Sequence, residues 1–99
     1  MKINDFQQAI NKTFGARDRA RGLERSFLWL VEEVGELAEA IRHGEKSAVE
    51  HEVGDVLAWL VSVANIAEID VNSAAKRFYD GCPYCHNAPC RCDEDGRPS

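Results

Sequence analysis

The first apolar pattern of the chain has helical spacing and is short. Within residues 3–14 the apolar positions lie three or four apart, at Ile3, Phe6, Ile10 and Phe14. This spacing predicts a first helix that ends near residue 14. The next segment, GARDRARG at residues 15–22, is basic and bracketed by glycines. That composition predicts a loop or a frayed helix start.

A second helix is predicted from about residue 23 to residue 42. Its apolar positions follow the i, i+3, i+4, i+7 rule of an amphipathic helix, at Leu23, Phe27, Leu30, Val31, Val34, Leu37, Ala38 and Ile41. The following His43-Gly44 pair is a common C-terminal stop, because glycine readily adopts the left-handed backbone conformation. The pattern therefore predicts one long helix with a defined end.

A third helix is predicted to begin after Ser47 and to end near residues 66–68. Ser47 and Glu50, in the sequence SAVE, have the spacing of a capping box. From residue 53 to residue 67 the sequence VGDVLAWLVSVANIA is apolar on almost every face of a helix. Such a helix needs more neighbours than one small chain provides. This pattern predicts oligomerisation.

A fourth, shorter helix is predicted from Val71 to about Tyr79, with Asp70 as its N-cap and Gly81 after its end. The sequence shows neither an internal repeat nor a strand pattern. It predicts an all-α bundle of about four helices, completed by oligomerisation. We expect a helical domain at residues 1–80 and a cysteine-rich tail at residues 81–99.

Composition and charge narrow the possible functions. The chain has 99 residues, of which 44% are hydrophobic and 29% are charged, as in a single small folded domain. A formal net charge of −5 argues against a nucleic-acid binder with a broad basic surface. No apolar run approaches the roughly 20 residues of a membrane span, and the first ten residues lack the apolar core of a signal peptide. We therefore expect a cytoplasmic protein.

Acidic residues form co-facial pairs on the second and third predicted helices. Residues three or four apart share a helix face, so Glu36 neighbours both Glu32 and Glu33, and Glu52 neighbours Asp55. Fifteen residues separate Glu36 from Glu52, which is enough for a tight turn between two antiparallel helices. That arrangement would place the two acidic groups at the same level.

Such a group of carboxylates has two interpretations. Clustered carboxylates repel one another unless a cation neutralises them, and oxygen ligands favour Mg²⁺ or Mn²⁺. Iron is the weaker alternative, because the Glu-x-x-His motif of di-iron bundles is missing. The other interpretation is a solvated polar face. Glycine at both Gly35 and Gly54 costs about 1 kcal/mol each of helix propensity and indicates close approach of a backbone or a ligand.

The two acidic motifs together resemble a known enzyme family. EEVGE at residues 32–36 and EVGD at residues 52–55 are similar to the EExxE and ExxD signature of MazG-like nucleotide pyrophosphohydrolases. The similarity continues through GELAEAIRHG and GDVLAWLVSVANIAEID, over about residues 23–78. These all-α enzymes belong with the dimeric dUTPases and the phosphoribosyl-ATP pyrophosphatases. The resemblance implies Mg²⁺-dependent hydrolysis of a nucleoside triphosphate to the monophosphate and pyrophosphate by a homodimer or homotetramer.

The resemblance also implies roles for individual residues. By position, Glu33, Glu36, Glu52 and Asp55 would bind Mg²⁺ or Mn²⁺, and Glu32 would orient or deprotonate the attacking water. Lys76 and Arg77 are the phosphate-binding candidates that family position favours, and entry-loop arginines are alternatives, at Arg17, Arg19, Arg21 and Arg25. Glu39 lies outside the motif and is expected in solvent. Trp29 and Trp59 suit base stacking, although packing is the more frequent role of tryptophan.

All four cysteines lie in one eleven-residue window of the tail. The sequence CPYCHNAPCRC contains Cys82-x-x-Cys85 and Cys90-x-Cys92, and four thiolates at these spacings can enclose one tetrahedral Zn²⁺. Disulfides or a redox role are the alternatives. A closed Cys₄ site leaves no open coordination position, so we expect a structural zinc. A non-enzymatic oligomer that presents this zinc knuckle to a protein or nucleic-acid partner is the alternative to an enzyme.

Overall fold

The chain folds entirely into helices over the residues that the structure describes. The computed structural model describes residues 1–93, so residues 94–99 of the predicted tail lie outside it. The helices are α1 (Ile3–Arg21), α2 (Leu23–His43), α3 (Lys46–Ile66) and α4 (Val71–Ala75), followed by a 3₁₀ turn at Lys76–Phe78. The predicted all-α fold is confirmed. No helix within residues 1–93 has both the length and the hydropathy needed to cross a membrane.

Helices α2 and α3 form the central antiparallel hairpin. Gly44 closes α2 in the left-handed conformation, with φ of +78°, and its N–H donates to the Ala40 carbonyl at 3.0 Å. This confirms the predicted stop. The predicted capping box at Ser47 is wrong, since α3 already begins at Lys46 and its N-cap is Glu45. The turn is shorter than predicted, and the Ser47 hydroxyl donates instead to the Glu45 carboxylate at 3.0 Å.

Helix α1 is longer than predicted, because the segment GARDRARG is helical up to Arg21. Gly15 is buried, and a Cβ built there would lie 2.6 Å from Asn11 Oδ1 and 2.7 Å from Arg19 Nη1. Arg19 donates to Asn11 at 2.8 Å across this position. The glycine therefore lets a side-chain hydrogen bond cross the helix surface and does not break the helix. The chain turns at Gly22, where φ is +92°.

A polar network joins the start of α1 to the end of α3. The Gln7 amide donates to Asn65 Oδ1 at 3.0 Å and to the Ile69 carbonyl at 2.8 Å, and its oxygen accepts the Val71 N–H at 2.9 Å. Asp70 is the N-cap of α4, as predicted. The fourth helix is shorter than predicted, because its α-helical part ends at Ala75.

The hydrophobic core of the described chain is small. Only four apolar residues within residues 1–93 are buried, namely Ile10, Leu30, Ala40 and Val61. Apolar side chains at helical spacing stay about half exposed on α2 and on α3, at Phe27, Val31, Val34, Val53, Leu57 and Leu60. Two such stripes are unusual on a soluble monomer, because exposed apolar patches mark interaction surfaces.

Candidate functional site

The α2–α3 hairpin brings the acidic residues of the two motifs together. Burial raises the pKa of Glu33, and the charges of Asp55, Glu52 and Glu36 raise it further. Carboxylate oxygens of Glu52 and Asp55 lie within 4.8 Å of each other. The four predicted ligand residues, which come from two helices, therefore lie close enough for their carboxylates to repel one another. We call this group the acidic cluster: Glu33, Glu36, Glu52 and Asp55.

One oxygen of the acidic cluster lacks a hydrogen-bond partner. Glu52 Oε2 is buried and accepts no hydrogen bond from the part of the chain that the structure describes. A buried, unsatisfied carboxylate oxygen is costly, and the acids around it add repulsion. A divalent cation would satisfy the oxygen and cancel the repulsion, and an all-oxygen donor set suits Mg²⁺ or Mn²⁺. The residues present therefore fit such an ion.

A broad cavity of about 530 Å³ lies beside the acidic cluster. Glu32, Gly35 and Glu36 line it from α2, and Glu52 lines it from α3, with Glu39 and His43 farther along. Glu32 is exposed, so its carboxylate is accessible to water in this cavity. Glu39 is also exposed, as predicted, and accepts hydrogen bonds from Arg42 at 2.6 Å and from His43 at 3.1 Å.

His51 adjoins the acidic cluster and was missed by the sequence analysis. Its Nε2 lies 3.2 Å from Asp55 Oδ2. One ring nitrogen of His51 and one carboxylate oxygen each of Glu52 and Asp55 lie within 4.8 Å of one another. The signal was available in the sequence, because His51 and Asp55 are four apart on one helix. The Glu-x-x-His spacing of di-iron bundles does not describe this pair. His51 is thus positioned to orient the Asp55 carboxylate or to compete with a cation for its oxygen.

The two glycines of the acidic motifs lie in open space. A Cβ at Gly35 or at Gly54 would meet no atom within 4 Å among the described residues. The predicted close approach of a backbone is therefore wrong within a single chain. A ligand or a second chain is the remaining source of such a contact, and Gly35 does line the large cavity.

The basic residues proposed for phosphate binding are scattered. Lys76 and Arg77 are exposed on the 3₁₀ turn, and the Arg77 guanidinium lies 4.5 Å from the Phe78 ring centroid. Helix α4, which precedes that turn, packs on α1, and neither side chain lines the cavity beside the acids. Of the arginines, Arg25 lines a small cavity with Glu32, and Arg17 and Arg21 line another with Asp55.

The two tryptophans stack on each other. Their ring centroids are 5.9 Å apart with an interplanar angle of 15°, and Trp59 also carries the Arg21 guanidinium 4.8 Å from its ring centroid. Trp29 therefore contributes to the α2–α3 contact, which is the packing alternative. Trp59 therefore contacts both a guanidinium group and an aromatic ring.

The acidic cluster should destabilise the metal-free protein, and Glu33→Gln tests this. The raised pKa of Glu33 means that the folded state favours its protonated form. Its contribution to stability is present below the unfolded pKa and is lost as pH rises through the folded pKa. In EDTA at pH 7 we expect Glu33→Gln to raise the Tm by several degrees, and at pH 4 the gain should disappear. Thermal unfolding followed by circular dichroism measures both.

The control for this experiment is Glu50→Gln, which removes an exposed acid from α3. Its Tm should differ little from wild type at either pH. Added Mn²⁺ should raise the Tm of wild type and of the control, and should raise that of Glu33→Gln much less. A Glu33→Gln protein less stable than wild type in EDTA at pH 7 contradicts the electrostatic interpretation.

The four cysteines of the tail form a compact group of free thiols. Their Sγ atoms all lie within 4.8 Å of one another, with 3.7 Å between Cys82 and Cys92 and 3.8 Å between Cys85 and Cys90. Backbone N–H groups donate to three of the sulfurs, for example Arg91 to Cys85 at 3.3 Å. This hydrogen bond and others lower the pKa of Cys85 to about 5. The group has the chemistry of a metal site.

Comparison with known families identifies the helical region. The family model described as the MazG nucleotide pyrophosphohydrolase domain matches residues 21–83, which is more than half of the 99-residue chain. The match contains the acidic cluster and Glu32. It excludes most of α1 and three of the four cysteines. No curated protein matches the chain.

Proposed function

Since the chain belongs to the MazG nucleotide pyrophosphohydrolase domain family, we propose that it hydrolyses a nucleoside triphosphate to the monophosphate and pyrophosphate with Mg²⁺ or Mn²⁺. The observation that carries this proposal is the acidic cluster, in which Glu52 Oε2 is buried without a hydrogen-bond partner among residues 1–93, and burial and neighbouring acids raise the pKa of Glu33. This strain is what a bound cation would relieve.

In the proposed mechanism each acid has one task. Glu33, Glu36, Glu52 and Asp55 would hold the metal, which supplies charge neutralisation of the triphosphate and polarisation of the scissile phosphorus. Glu32 borders the same cavity as Glu36 and Glu52, so its carboxylate is placed to orient a water and accept its proton. The remaining charge on the phosphates needs cations. Lys76 and Arg77 stay the family-based proposal for them, and Arg17, Arg21 and Arg25 line cavities together with Asp55 or Glu32.

The test is a screen of the common and damaged (d)NTPs with and without Mg²⁺. We expect metal-dependent release of pyrophosphate together with the monophosphate, and no orthophosphate from the γ position. A protein that binds Mn²⁺ yet releases pyrophosphate from no nucleotide would refute the proposal. Activity toward damaged nucleotides would favour a house-cleaning role in the nucleotide pool, which we place in the cytoplasm.

We also propose that the protein is a homodimer or homotetramer. The support is the pair of half-exposed apolar stripes on α2 and α3 and the small number of buried apolar residues in residues 1–93. Burial of these side chains between subunits would remove apolar surface from water at about 25 cal/mol per Å². Neither a membrane nor a nucleic acid is a partner in this proposal.

Val31→Glu is expected to disrupt this assembly, because it places a charge among Phe27 and Val34 on the α2 stripe. Light scattering after size exclusion should show a lower molar mass than that of wild type. Thr13→Glu adds the same charge to an exposed position on α1 and should keep the wild-type mass. A wild-type protein that is monomeric at high concentration contradicts the proposal.

For the tail, we propose a structural Zn²⁺ bound by Cys82, Cys85, Cys90 and Cys92. Four sulfurs that bind one zinc at about 2.3 Å in a tetrahedron lie about 3.8 Å apart, and two of the sulfur separations here are 3.7 and 3.8 Å. Disulfides would need about 2.05 Å. Backbone N–H donation to the sulfurs would stabilise the thiolates that zinc requires. Protein purified without added metal should contain one zinc per chain. We propose that this tail, residues 81–99, is a unit separate from the helical domain at residues 1–80.

The alternative function is a helical oligomer that presents the zinc knuckle to a partner. It is favoured only by the tail, whose last three cysteines lie outside the family match. The acidic cluster has no role in it.

A further inference from the structure

A second, smaller cavity lies between α1 and α3 and reaches the acidic cluster. Its volume is about 280 Å³, and Asp55 of the cluster lines it together with Asp18, Arg21 and Trp59. Drug-sized ligands occupy cavities of roughly 300–1,000 Å³, so this one suits a fragment of the size of a nucleobase. A nucleotide whose phosphates lie at the metal would therefore have room for its base beside Asp55.

Asp18 contributes a buried carboxylate with one oxygen unused. The residue is 2% exposed. Its Oδ1 accepts a hydrogen bond from Arg21 Nη1 at 2.9 Å, whereas its Oδ2 is buried and accepts none within residues 1–93. Buried polar atoms almost always have a partner, and a charged acceptor without one is especially costly. Within residues 1–93 this oxygen therefore has no donor, and a ligand in the cavity that Asp18 lines is one source of such a donor.

Arg21 holds the carboxylate in a fixed orientation. The same Nη1 that binds Asp18 also donates to the Ser26 hydroxyl at 3.1 Å. The guanidinium lies over the Trp59 ring, which in turn stacks on Trp29. Because Arg21 is held by three neighbours, the Asp18 carboxylate that it binds is kept in one orientation. This rigidity is typical of a recognition group.

We propose that Asp18 Oδ2 reads the base of the nucleotide by accepting a hydrogen bond from an exocyclic amino group. Cytosine, adenine and guanine carry such a donor. Uracil and thymine present carbonyl oxygens on both sides of their single N–H, and these would face the carboxylate. The inference rests on the proposed pyrophosphohydrolase function and adds the preference for an amino-bearing base. Asp18 lies outside the residues that the family model matches.

The experiment compares kcat/KM for dCTP, dGTP and dATP with that for dTTP and dUTP, in wild type and in Asp18→Asn. We expect wild type to prefer at least one amino-bearing nucleotide over dTTP and dUTP. In Asp18→Asn the amide oxygen keeps the Arg21 bond, so the amide NH₂ replaces the unused oxygen. A donor then faces the amino group, and the preference should fall by about 10- to 100-fold, as for a lost hydrogen bond to a charged group.

Asp5→Asn is the matched control, since it makes the same substitution at an exposed position of α1. It should keep the wild-type preference. Wild-type protein that hydrolyses dTTP or dUTP as well as every amino-bearing nucleotide overturns the inference, whether or not Asp18→Asn folds. An Asp18→Asn protein that lowers all rates equally and changes the oligomeric mass also overturns it, because Asp18 would then serve a subunit contact.

The two proposals fail in different ways. If wild type hydrolyses no nucleoside triphosphate, the proposed function itself is wrong. If wild type is active and its base preference is unchanged in a folded Asp18→Asn protein, only the role of Asp18 is wrong.

Discussion

Glu36→Gln is expected to lower the rate of pyrophosphate release by roughly 100-fold or more. Substitution of residues that only support metal ligands typically costs 10- to 100-fold, and loss of a direct ligand should cost at least as much. Glutamine keeps the size of the side chain but removes the negative charge. Initial rates across a Mg²⁺ titration measure the effect, and part of the loss should be recovered at high Mg²⁺ if metal affinity is what changed.

Glu24→Gln controls for the loss of one acid from the same helix, since Glu24 is exposed in the first turn of α2. Its rate should equal that of wild type. Asp55→Asn should behave like Glu36→Gln, because Asp55 contributes to the same cluster from α3. Undiminished turnover in Glu36→Gln or Asp55→Asn would rule out the acidic cluster as the metal site of the reaction.

Cys82→Ser or Cys90→Ser is expected to abolish stable zinc binding. Binding of structural zinc contributes about 10–16 kcal/mol in small zinc domains, and three thiolates hold the metal much less tightly than four. After dialysis against a chelator, metal analysis should find about one zinc per chain in wild type and almost none in the variants. Co²⁺ substitution should give the absorption of a tetrahedral thiolate site in wild type alone.

His86→Ala controls for this experiment, because His86 is exposed in the same loop and four thiolates would satisfy the proposed metal without it. It should retain its zinc. We expect the cysteine variants to keep their helical content and their pyrophosphate release, because a closed Cys₄ site supplies no catalytic position. Equal zinc retention in Cys82→Ser and wild type would contradict the proposed ligand set.

A cysteine variant also separates the two functions. If zinc-free protein loses binding to a protein or nucleic-acid partner while the acidic residues prove dispensable, the alternative of a knuckle-presenting oligomer gains support. If zinc-free protein keeps hydrolysis, the tail acts in stability or assembly.

The sequence by itself determined the fold class, the α2–α3 pair and the family. These follow from local physics, because apolar spacing reports helix faces and Gly44 stops a helix in the left-handed conformation. The two acidic motifs are also local, and their separation requires only a short turn to bring them level. For the same reason the extent of α2 and the N-cap at Asp70 were predicted correctly.

Only the tertiary structure decided which neighbours each polar residue has. The sequence predicts a loop or a frayed helix start from Gly15, whereas in the structure an Asn11–Arg19 hydrogen bond crosses the helix surface at this glycine. The unused oxygens of Glu52 and Asp18 follow from contacts between helices that are distant in sequence. Burial and missing partners are properties of the packed chain, and no spacing rule reports them. The sequence thus predicts that the EEVGE motif supplies half of an acidic site. The base-sized cavity beside Asp55, in contrast, exists only because α1 packs against α3.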